Sequence, residues 1–292
     1  MSKLLLRIID GLLFSNIFIA ICAMAQGALT YLLLDQTANY YLLAFLGCST
    51  LFLYNLSMLL ARPSNPQSSP FRRVRWIFSH YNWITCLSAL ALVALLPLML
   101  RLSWGTILCL GITGVFAMAY NLPVIWIKGK KLSLRSLPGA KLFIIGAVWA
   151  LSCVLAPIID LRNAGVEVTN SSTWILVIKR FLFVIAITIP FDIRDLFQDQ
   201  QYQLKTIPVM LGKKGALIFC QILLGTYIVL LLIFSSPLYY YTLTLAGITL
   251  FTGWVILKSQ WQRNEYFYFL FLDGTLLLQY LGTGAVKTFF LE

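Results

Sequence analysis

The chain has 292 residues, of which 60% are hydrophobic and only 11% are charged. Soluble domains are about half apolar and about a quarter charged, so this composition excludes an ordinary soluble protein and indicates an integral membrane protein with many spans. The net charge of +12 does not indicate a nucleic-acid partner, because the basic residues lie between apolar segments. The six cysteines are scattered without a C-x-x-C pair, which predicts neither a disulfide framework nor a zinc site.

The apolar segments predict an all-α integral membrane fold, with about nine transmembrane helices in one bundle and residues 1–292 in a single domain. The first segment is interpreted as a retained span, because its apolar stretch is too long for a signal peptide. The fourth and sixth segments are short, which tilted helices can accommodate. In chain order the predicted spans are Gly11–Leu34, Tyr40–Ala61, Asn82–Leu100, Trp104–Tyr120, Gly139–Ile159, Thr173–Pro190, Gly215–Phe234, Leu238–Leu257 and Tyr266–Val286.

The distribution of lysine and arginine predicts the orientation in the membrane. The N-terminus and the loops after the second, fourth, sixth and eighth spans hold most of the basic residues. The opposite loops hold Arg101 and Arg162, and Lys287 lies near the C-terminus. Positive loops stay on the cytoplasmic side. We therefore expect a protein of the cytoplasmic membrane, with its N-terminus on the cytoplasmic side and its C-terminus outside.

Two loops and three intramembrane charges leave alternatives open. The proline- and serine-rich loop 62–71 is predicted to be non-helical, either a lid or a linker. Lysines after the fourth span either contact a diphosphate or only set the topology; they are Lys128, Lys130 and Lys131. Within the spans, Lys179 and Arg180 either snorkel to the outer surface or face a cavity, and Asp273 is expected to meet a cation.

Three of the ten acidic residues lie close together after the sixth span, namely Asp192, Asp195 and Asp199. Their spacing of i, i+3 and i+7 would place them on one face of a continuing helix. Carboxylates at the C-terminal end of a helix repel one another and oppose the helix dipole, and Mg²⁺ would resolve both problems. The alternative is a solvated loop whose acids pair with Arg194 and Lys205. With the predicted orientation, the cluster faces the cytoplasm.

The pattern after the sixth span resembles the second aspartate-rich motif of the UbiA family of membrane prenyltransferases. It reads Asp192-x-x-Asp195-x-x-x-Asp199, followed by Lys205-Thr206-x-Pro208-x-x-Leu211-Gly212. The nine-span layout, and Tyr120-x-x-Pro123 with Lys128 after the fourth span, are similar to the same family. The resemblance implies binding of an allylic polyprenyl diphosphate through Mg²⁺ held by two aspartate-rich motifs. It also implies ionisation of that diphosphate and transfer of the prenyl group to an acceptor.

The family's first aspartate motif is degenerate in this chain. Alignment on Asn55 places Leu56, Leu59 and Pro63 where that motif has aspartates, so only Asn55 remains. We hypothesise that Arg62 replaces the missing metal by binding phosphate directly.

On the basis of this resemblance, we predict that the protein is a Mg²⁺-dependent membrane prenyltransferase that moves a polyprenyl group from an allylic diphosphate to an acceptor. Its partners would be a polyprenyl diphosphate, an unidentified acceptor and membrane lipids. The alternatives are a non-catalytic protein of the same fold that binds lipid diphosphates or acts as a scaffold, and a small transporter that uses Arg180 and Asp273. The predicted catalytic and metal-binding residues are Asp192, Asp195 and Asp199. The predicted substrate-binding residues are Asn55, Arg62, Tyr120, Lys128, Arg194 and Lys205.

Overall fold

The computed structural model describes residues 3–121, 125–127, 130–132, 139–201, 204–234, 239–259 and 264–290. These residues are almost entirely helical, and the apolar segments form one helix bundle. The helices are α1 (Lys3–Phe14), α2 (Ile17–Leu33), α3 (Tyr40–Leu60), α4 (Arg72–Ser79), α5 (Tyr81–Met99), α6 (Trp104–Asn121), α7 (Ala140–Ala150), α8 (Ala156–Asn163), α9 (Asn170–Arg194), α10 (Leu196–Gln201), α11 (Ile207–Ile233), α12 (Tyr239–Ser259) and α13 (Gly274–Phe290). A π-helical segment, Leu151–Leu155, joins α7 to α8, and another, Phe267–Leu272, precedes α13.

Seven helical segments of the described chain are long and apolar enough to cross a membrane. They are Tyr40–Leu60, Tyr81–Met99, Ala140–Asn163, Asn170–Arg194, Ile207–Ile233, Tyr240–Ser259 and Phe267–Phe289. The pair α1 and α2 would make an eighth span, and α6 is apolar but shorter. An all-α integral membrane fold is therefore confirmed, whereas the count of nine is not. The sixth predicted span is longer than expected, because α9 has 25 residues.

The first predicted span, Gly11–Leu34, is not one straight helix. The axes of α1 and α2 differ by 60°. Asn16 lies at the break with φ 67°, in the left-handed region. Asparagine tolerates this conformation better than most residues with a side chain. The bend therefore has a local cause in the sequence, which apolar periodicity alone did not reveal.

A short antiparallel hairpin follows α6, formed by β1 (Ile125–Ile127) and β2 (Lys130–Leu132). In this pairing Ile125 lies opposite Leu132. The predicted phosphate contact Lys128 falls between the two strands and lies outside the described residues.

The core of the bundle is centred on α2 and α9. Helix α9 packs against α7 and α11, and α2 packs against α3 and α13. The largest cluster of buried apolar side chains includes Phe14, Phe183 and Leu272. This packing places the C-terminal end of α9 beside the break between α1 and α2, where the candidate site lies.

A polar network crosses this core at the level of Arg180. The Arg180 Nη1 donates to the backbone oxygen of Gln26 at 3.1 Å. The Gln26 Nε2 donates to the backbone oxygen of Leu276 at 2.7 Å and to Oε1 of Gln279 at 3.2 Å. Arg180 is thus buried and bonded to α2 rather than extended towards the membrane surface. Hydrogen bonds of this kind hold transmembrane helices together.

Helix α4 follows the proline-rich loop and is fixed at its first turn by Glu265. The backbone N–H groups of Arg72 and Arg73 donate to the Glu265 carboxylate at 2.6 and 3.0 Å. The Arg72 Nη2 lies 2.6 Å from Oδ2 of Asp10, and the Tyr266 hydroxyl donates to Asp10 as well. A carboxylate at a helix N-terminus satisfies free N–H groups and complements the helix dipole. The loop therefore ends in an anchored helix.

We expect Glu265→Ala to loosen α4. Loss of a helix cap costs about 1 kcal/mol, which corresponds to a roughly fivefold larger population of the detached helix. Limited trypsin digestion in detergent should show cleavage after Arg72, Arg73 or Arg75 accelerated by about that factor. Glu167→Ala is the matched control, because Glu167 is exposed and remote in sequence from α4. Equal digestion rates for Glu265→Ala and the native chain would contradict the anchoring role.

Candidate active site

A polar cavity of about 230 Å³ lies where α2, α3, α4, α7, α9 and the last span meet. Asp192 and Asp195 line it, as does the intramembrane residue Asp273. Three basic side chains face the same cavity, Arg73, Lys141 and Arg194, together with Asn16 and Tyr54. The site thus combines both signs of charge within a largely apolar bundle.

Asp192 is the most enclosed acidic group of this cavity, with no solvent-accessible surface. The Lys141 Nζ donates to its Oδ1 at 2.5 Å. Its other oxygen, Oδ2, is buried and has no hydrogen-bond partner within the described chain. Buried carboxylate oxygens are normally satisfied. The unsatisfied oxygen is therefore a vacant acceptor suited to a cation.

Lys141 is a site residue that the sequence reasoning missed. It is one of the many basic residues that lie near the ends of the predicted spans. The structure places it in the first turn of α7, just after Gly139, which has φ 68°. A positive φ favours glycine and turns the chain sharply into the helix. The available signal was its position, since Lys141 lies two residues inside a predicted apolar span.

Asp195 caps the C-terminal end of α9 and forms a two-pronged ion pair with Arg194. The Nε–Oδ1 and Nη2–Oδ2 distances are 2.8 and 3.0 Å. The Arg194 guanidinium lies between 5.2 and 5.8 Å from the centroids of four rings, those of Phe71, Phe191, Tyr268 and Phe269. Its Nη1 is buried without a hydrogen-bond partner in the described chain.

Asp199 lies on α10, beyond the end of the helix α9 that carries Asp192. Helix α9 ends at Arg194 and α10 begins at Leu196, so the single helical face expected for all three carboxylates is divided between two helices. Asp199 does not line the polar cavity, and its Oδ2 accepts a hydrogen bond from the Thr206 hydroxyl at 3.1 Å. Across the described ranges, no group of three carboxylate, thiol or imidazole side chains is arranged to hold a metal.

Arg73 is the cation that faces the degenerate first motif. Its Nη2 donates to Oδ1 of Asn16, and the Asn16 Nδ2 donates to Oδ1 of Asn55 at 2.7 Å. Asn55 is fully buried, and its Nδ2 has no partner in the part of the chain that is described. Burial and the nearby charge of Arg194 lower the pKa of Arg73 to about 10, so it is charged at neutral pH. The remaining residue of the first motif is thus connected to the cavity through Asn16 and Arg73.

Two other predicted phosphate contacts lie outside the polar cavity. Arg62 is exposed, with its guanidinium 5.6 and 5.7 Å from the ring centroids of Phe78 and Tyr81. Lys205 is exposed, and its backbone oxygen accepts from the Gly139 N–H at 2.9 Å. Phosphate binding by Arg62 in place of the missing metal stays a prediction. The Arg62 side chain packs on α4 and α5.

A second, more apolar cavity of about 300 Å³ adjoins the polar one. The predicted contact Tyr120 lines it. The two cavities share four lining residues, Tyr54, Arg73, Ile145 and Trp149. An amphiphile with a charged head and an apolar tail matches this adjoining pair of cavities.

Sequence comparison identifies the class of protein to which this bundle and its aspartate-lined cavity belong. The model of the UbiA prenyltransferase family matches residues 79–274. The chain therefore belongs to the UbiA prenyltransferase family. A comparison with curated proteins gives no match.

Solved structures with the same fold cover nearly the whole chain. A UbiA homologue from Archaeoglobus fulgidus bound to GPP and Mg²⁺ is 13% identical, with a TM-score of 0.67, and covers 96% of this chain and 99% of its own. A digeranylgeranylglyceryl phosphate synthase is 16% identical, with a TM-score of 0.58 and coverage of 95% and 98%. An apo UbiA homologue from Aeropyrum pernix K1 is 15% identical, with a TM-score of 0.59 and coverage of 96% and 98%. At these identities the similarity establishes the fold.

Proposed function

We propose that this protein is a Mg²⁺-dependent membrane prenyltransferase that moves a polyprenyl group from an allylic diphosphate to an acceptor. The observation that carries the proposal is the vacant Oδ2 of buried Asp192, in a cavity that also holds Arg73, Lys141 and Arg194. Membership of the UbiA family supports it. The ligands of the Archaeoglobus fulgidus homologue, GPP and Mg²⁺, support the same substrate class.

In this proposal the two cavities bind the two ends of the substrate. The diphosphate lies in the polar cavity, where Arg73, Lys141 and Arg194 supply N–H donors and positive charge. The prenyl chain lies in the adjoining apolar cavity, past Tyr54 and Trp149 and towards Tyr120. Displacement of water from an apolar cavity by hydrocarbon contributes to binding.

The donor set fits Mg²⁺, which prefers carboxylate oxygens together with phosphate oxygens of the substrate. Asp192 and Asp195 would hold the ion, because both line the cavity. When bound, Mg²⁺ supplies charge neutralisation that makes diphosphate a better leaving group. Lys141 holds the Asp192 carboxylate in place by donating a hydrogen bond to its Oδ1 atom. The other oxygen, Oδ2, has no hydrogen-bond partner in the described chain and would bind the ion. Asp199 as a further ligand stays a prediction.

The reaction breaks the bond between the allylic carbon and the diphosphate oxygen. The bonding electron pair leaves with the diphosphate, and Arg73 and Arg194 offset its added negative charge. The positive charge left on the allylic group would be stabilised by the aromatic ring of Tyr54, which lines both cavities. The acceptor donates an electron pair to the allylic carbon and then loses a proton. The apolar walls keep water from capturing the cation.

Arg73 takes the place that the sequence hypothesis gave to Arg62. Through Asn16 it is connected to Asn55, the residue that remains of the first motif. We propose that this arginine compensates on that side for the metal that the missing aspartates would otherwise hold. The substrate would then be held by metal on the α9 side and by a guanidinium on the α3 side.

The proposed setting is the cytoplasmic membrane, with the N-terminus and the aspartate site on the cytoplasmic side and residues 1–292 acting as one domain. The basic residues between the spans support this orientation. An anionic substrate would also be attracted to the positively charged face of the bundle.

A protein that binds lipid diphosphates without turnover is the second candidate. Two ion pairs favour this candidate, because Asp192 is already paired with Lys141 and Asp195 with Arg194. Such pairs would have to rearrange before both carboxylates bind a metal.

The test is pyrophosphate release from a labelled polyprenyl diphosphate by the purified chain in detergent, with Mg²⁺ and with a chelator. We expect release that requires Mg²⁺. Metal-dependent binding without release, over several chain lengths and with a panel of acceptors, would reject the transferase and favour the second candidate. Absence of both binding and release would reject both functions.

A further inference from the structure

A third cavity, of about 400 Å³, lies at the end of the bundle opposite Asp192. It is enclosed by the beginning of α9, the ends of α2 and α11 and the beginning of α12. The lining residues from α9 recur at helical spacing and therefore lie on one face of the helix. In order from the N-terminal end of α9 they are Ser171, Ser172, Ile175, Leu176 and Lys179. The rest of the wall consists of four leucines, one phenylalanine and the two hydroxyl residues Tyr241 and Thr242. A single cation therefore faces a largely apolar chamber.

Lys179 has no counter-charge in the described chain. It is only 9% exposed, and within the described ranges it has neither a hydrogen bond nor an ion pair. The next residue, Arg180, is a second buried cation, which is bonded to a backbone oxygen of α2. A lysine that is largely buried and has no partner among the described residues carries a costly charge in protein, and more so within a membrane.

Two acidic side chains at this end of the bundle are already engaged. Asp35 lies 2.7 Å from the Nζ of Lys287. Asp160 accepts hydrogen bonds from the Tyr31 hydroxyl at 2.7 Å and from Asn39. Neither carboxylate lines the cavity, nor does that of the exposed Glu167, so no acidic side chain of the described chain lines the cavity beside Lys179.

We propose that this cavity binds the phosphate of an anionic phospholipid, with Lys179 as its counter-ion. Side chains on a helix lean towards its N-terminus, so the lysine stem leads towards Ser171 and Ser172. The N-terminal turn of the 25-residue α9 adds positive dipole, and the serine hydroxyls add donors. The apolar side chains of the cavity favour a lipid as the source of the phosphate. The acyl chains of a lipid would cover these side chains, whereas a free phosphate ion would leave them exposed to water. This site is independent of the proposed transfer reaction.

Native mass spectrometry of the full chain, with lipids of identical acyl chains, tests the assignment. We expect dioleoyl phosphatidylglycerol to be retained about tenfold better than dioleoyl phosphatidylcholine, a preference worth about 1.4 kcal/mol. Lys179→Met should abolish the preference, and Lys179→Arg should keep it. Lys287→Met is the matched control, because it removes one cation from the same end and does not line the cavity. An unchanged preference in Lys179→Met, or its loss in Lys287→Met, would overturn the proposal.

Thermal unfolding in detergent provides a second readout. Lys179→Met should unfold at a higher temperature than the native chain when no lipid is added, because an unpaired buried charge is replaced by an apolar side chain. Phosphatidylglycerol should raise the midpoint temperature of thermal unfolding for the native chain but not for Lys179→Met. A midpoint raised by inorganic phosphate and not by the lipid would reject the lipid as the ligand. If Lys179→Met yields no folded protein, Lys179→Gln decides, and a retained lipid preference in that variant counts against the proposal.

Discussion

Asp192→Asn is expected to lower Mg²⁺-dependent pyrophosphate release by about a thousandfold, the upper end of the range for loss of one electrostatic contact at a reacting centre. The amide keeps the size of the side chain and removes the negative charge that would hold the ion beside the diphosphate. Asp192 is fully buried, so water or a neighbouring side chain cannot replace its carboxylate without a rearrangement of the surrounding side chains. Release of labelled pyrophosphate, measured with saturating Mg²⁺ and with chelator, gives the comparison.

Asp199→Asn is the matched control for this experiment. Asp199 belongs to the same motif but lies outside the polar cavity, bonded to Thr206. We expect its loss of activity to be at most about tenfold, from disturbed packing of α10. Equal losses at Asp192 and Asp199 would mean that Asp199 binds the metal together with Asp192, as the sequence spacing predicts.

Folding must be separated from catalysis in Asp192→Asn. Removing the carboxylate leaves Lys141 buried beside a neutral amide, and breaking a buried ion pair costs several kcal/mol. The double variant Asp192→Asn/Lys141→Met removes both charges and should regain thermal stability while remaining inactive. A double variant that releases pyrophosphate would show that this pair is structural.

Arg73→Gln is expected to weaken binding of inorganic pyrophosphate in the presence of Mg²⁺ by about thirtyfold, which corresponds to about 2 kcal/mol for a hydrogen bond to a charged group. Arg73 lines both cavities and is connected through Asn16 to Asn55, the residue that remains of the first motif. Isothermal titration of the purified chain measures the dissociation constant. Arg73→Lys should restore only part of the affinity, because lysine cannot form a two-pronged contact.

Arg62→Gln is the control that distinguishes the two arginines. Its side chain lies on the rings of Phe78 and Tyr81, outside the polar cavity, so pyrophosphate binding should be unchanged. The reverse outcome, with weak binding in Arg62→Gln and normal binding in Arg73→Gln, would restore the hypothesis that was based on the sequence. It would also require movement of α4 when the ligand binds.

The fold could be predicted from the sequence because a membrane-spanning helix has a strong local signal. About twenty apolar residues in a row bury a continuous stretch of hydrocarbon, and their bounds can be recognised without tertiary information. The bend between α1 and α2 could not be recognised in this way, because it depends on the backbone conformation of the single residue Asn16. The second aspartate motif is likewise contiguous in sequence, and Asp192 and Asp195 do lie in the polar cavity.

The remainder of the candidate site depends on contacts between distant segments. Arg73 and Asn16 are 57 positions apart, and Lys141 and Asp192 are 51 positions apart. Basic residues are frequent at the ends of these spans, so composition could not separate Arg73 from Arg62 or Lys141 from Lys205. Burial distinguishes each pair, and burial is a property of the assembled bundle.

The left-handed conformation of Asn16 has a consequence for how the site can change by mutation. Asparagine, aspartate and glycine are the residues best accommodated at such a backbone position. One base change converts an asparagine codon into an aspartate codon. Such a change would keep the helix bend and place a carboxylate against Arg73, on the side where the first motif has lost its acids. An acidic group on that side of the cavity is therefore one mutational step away in this chain, at a position that no alignment of the motif itself would suggest.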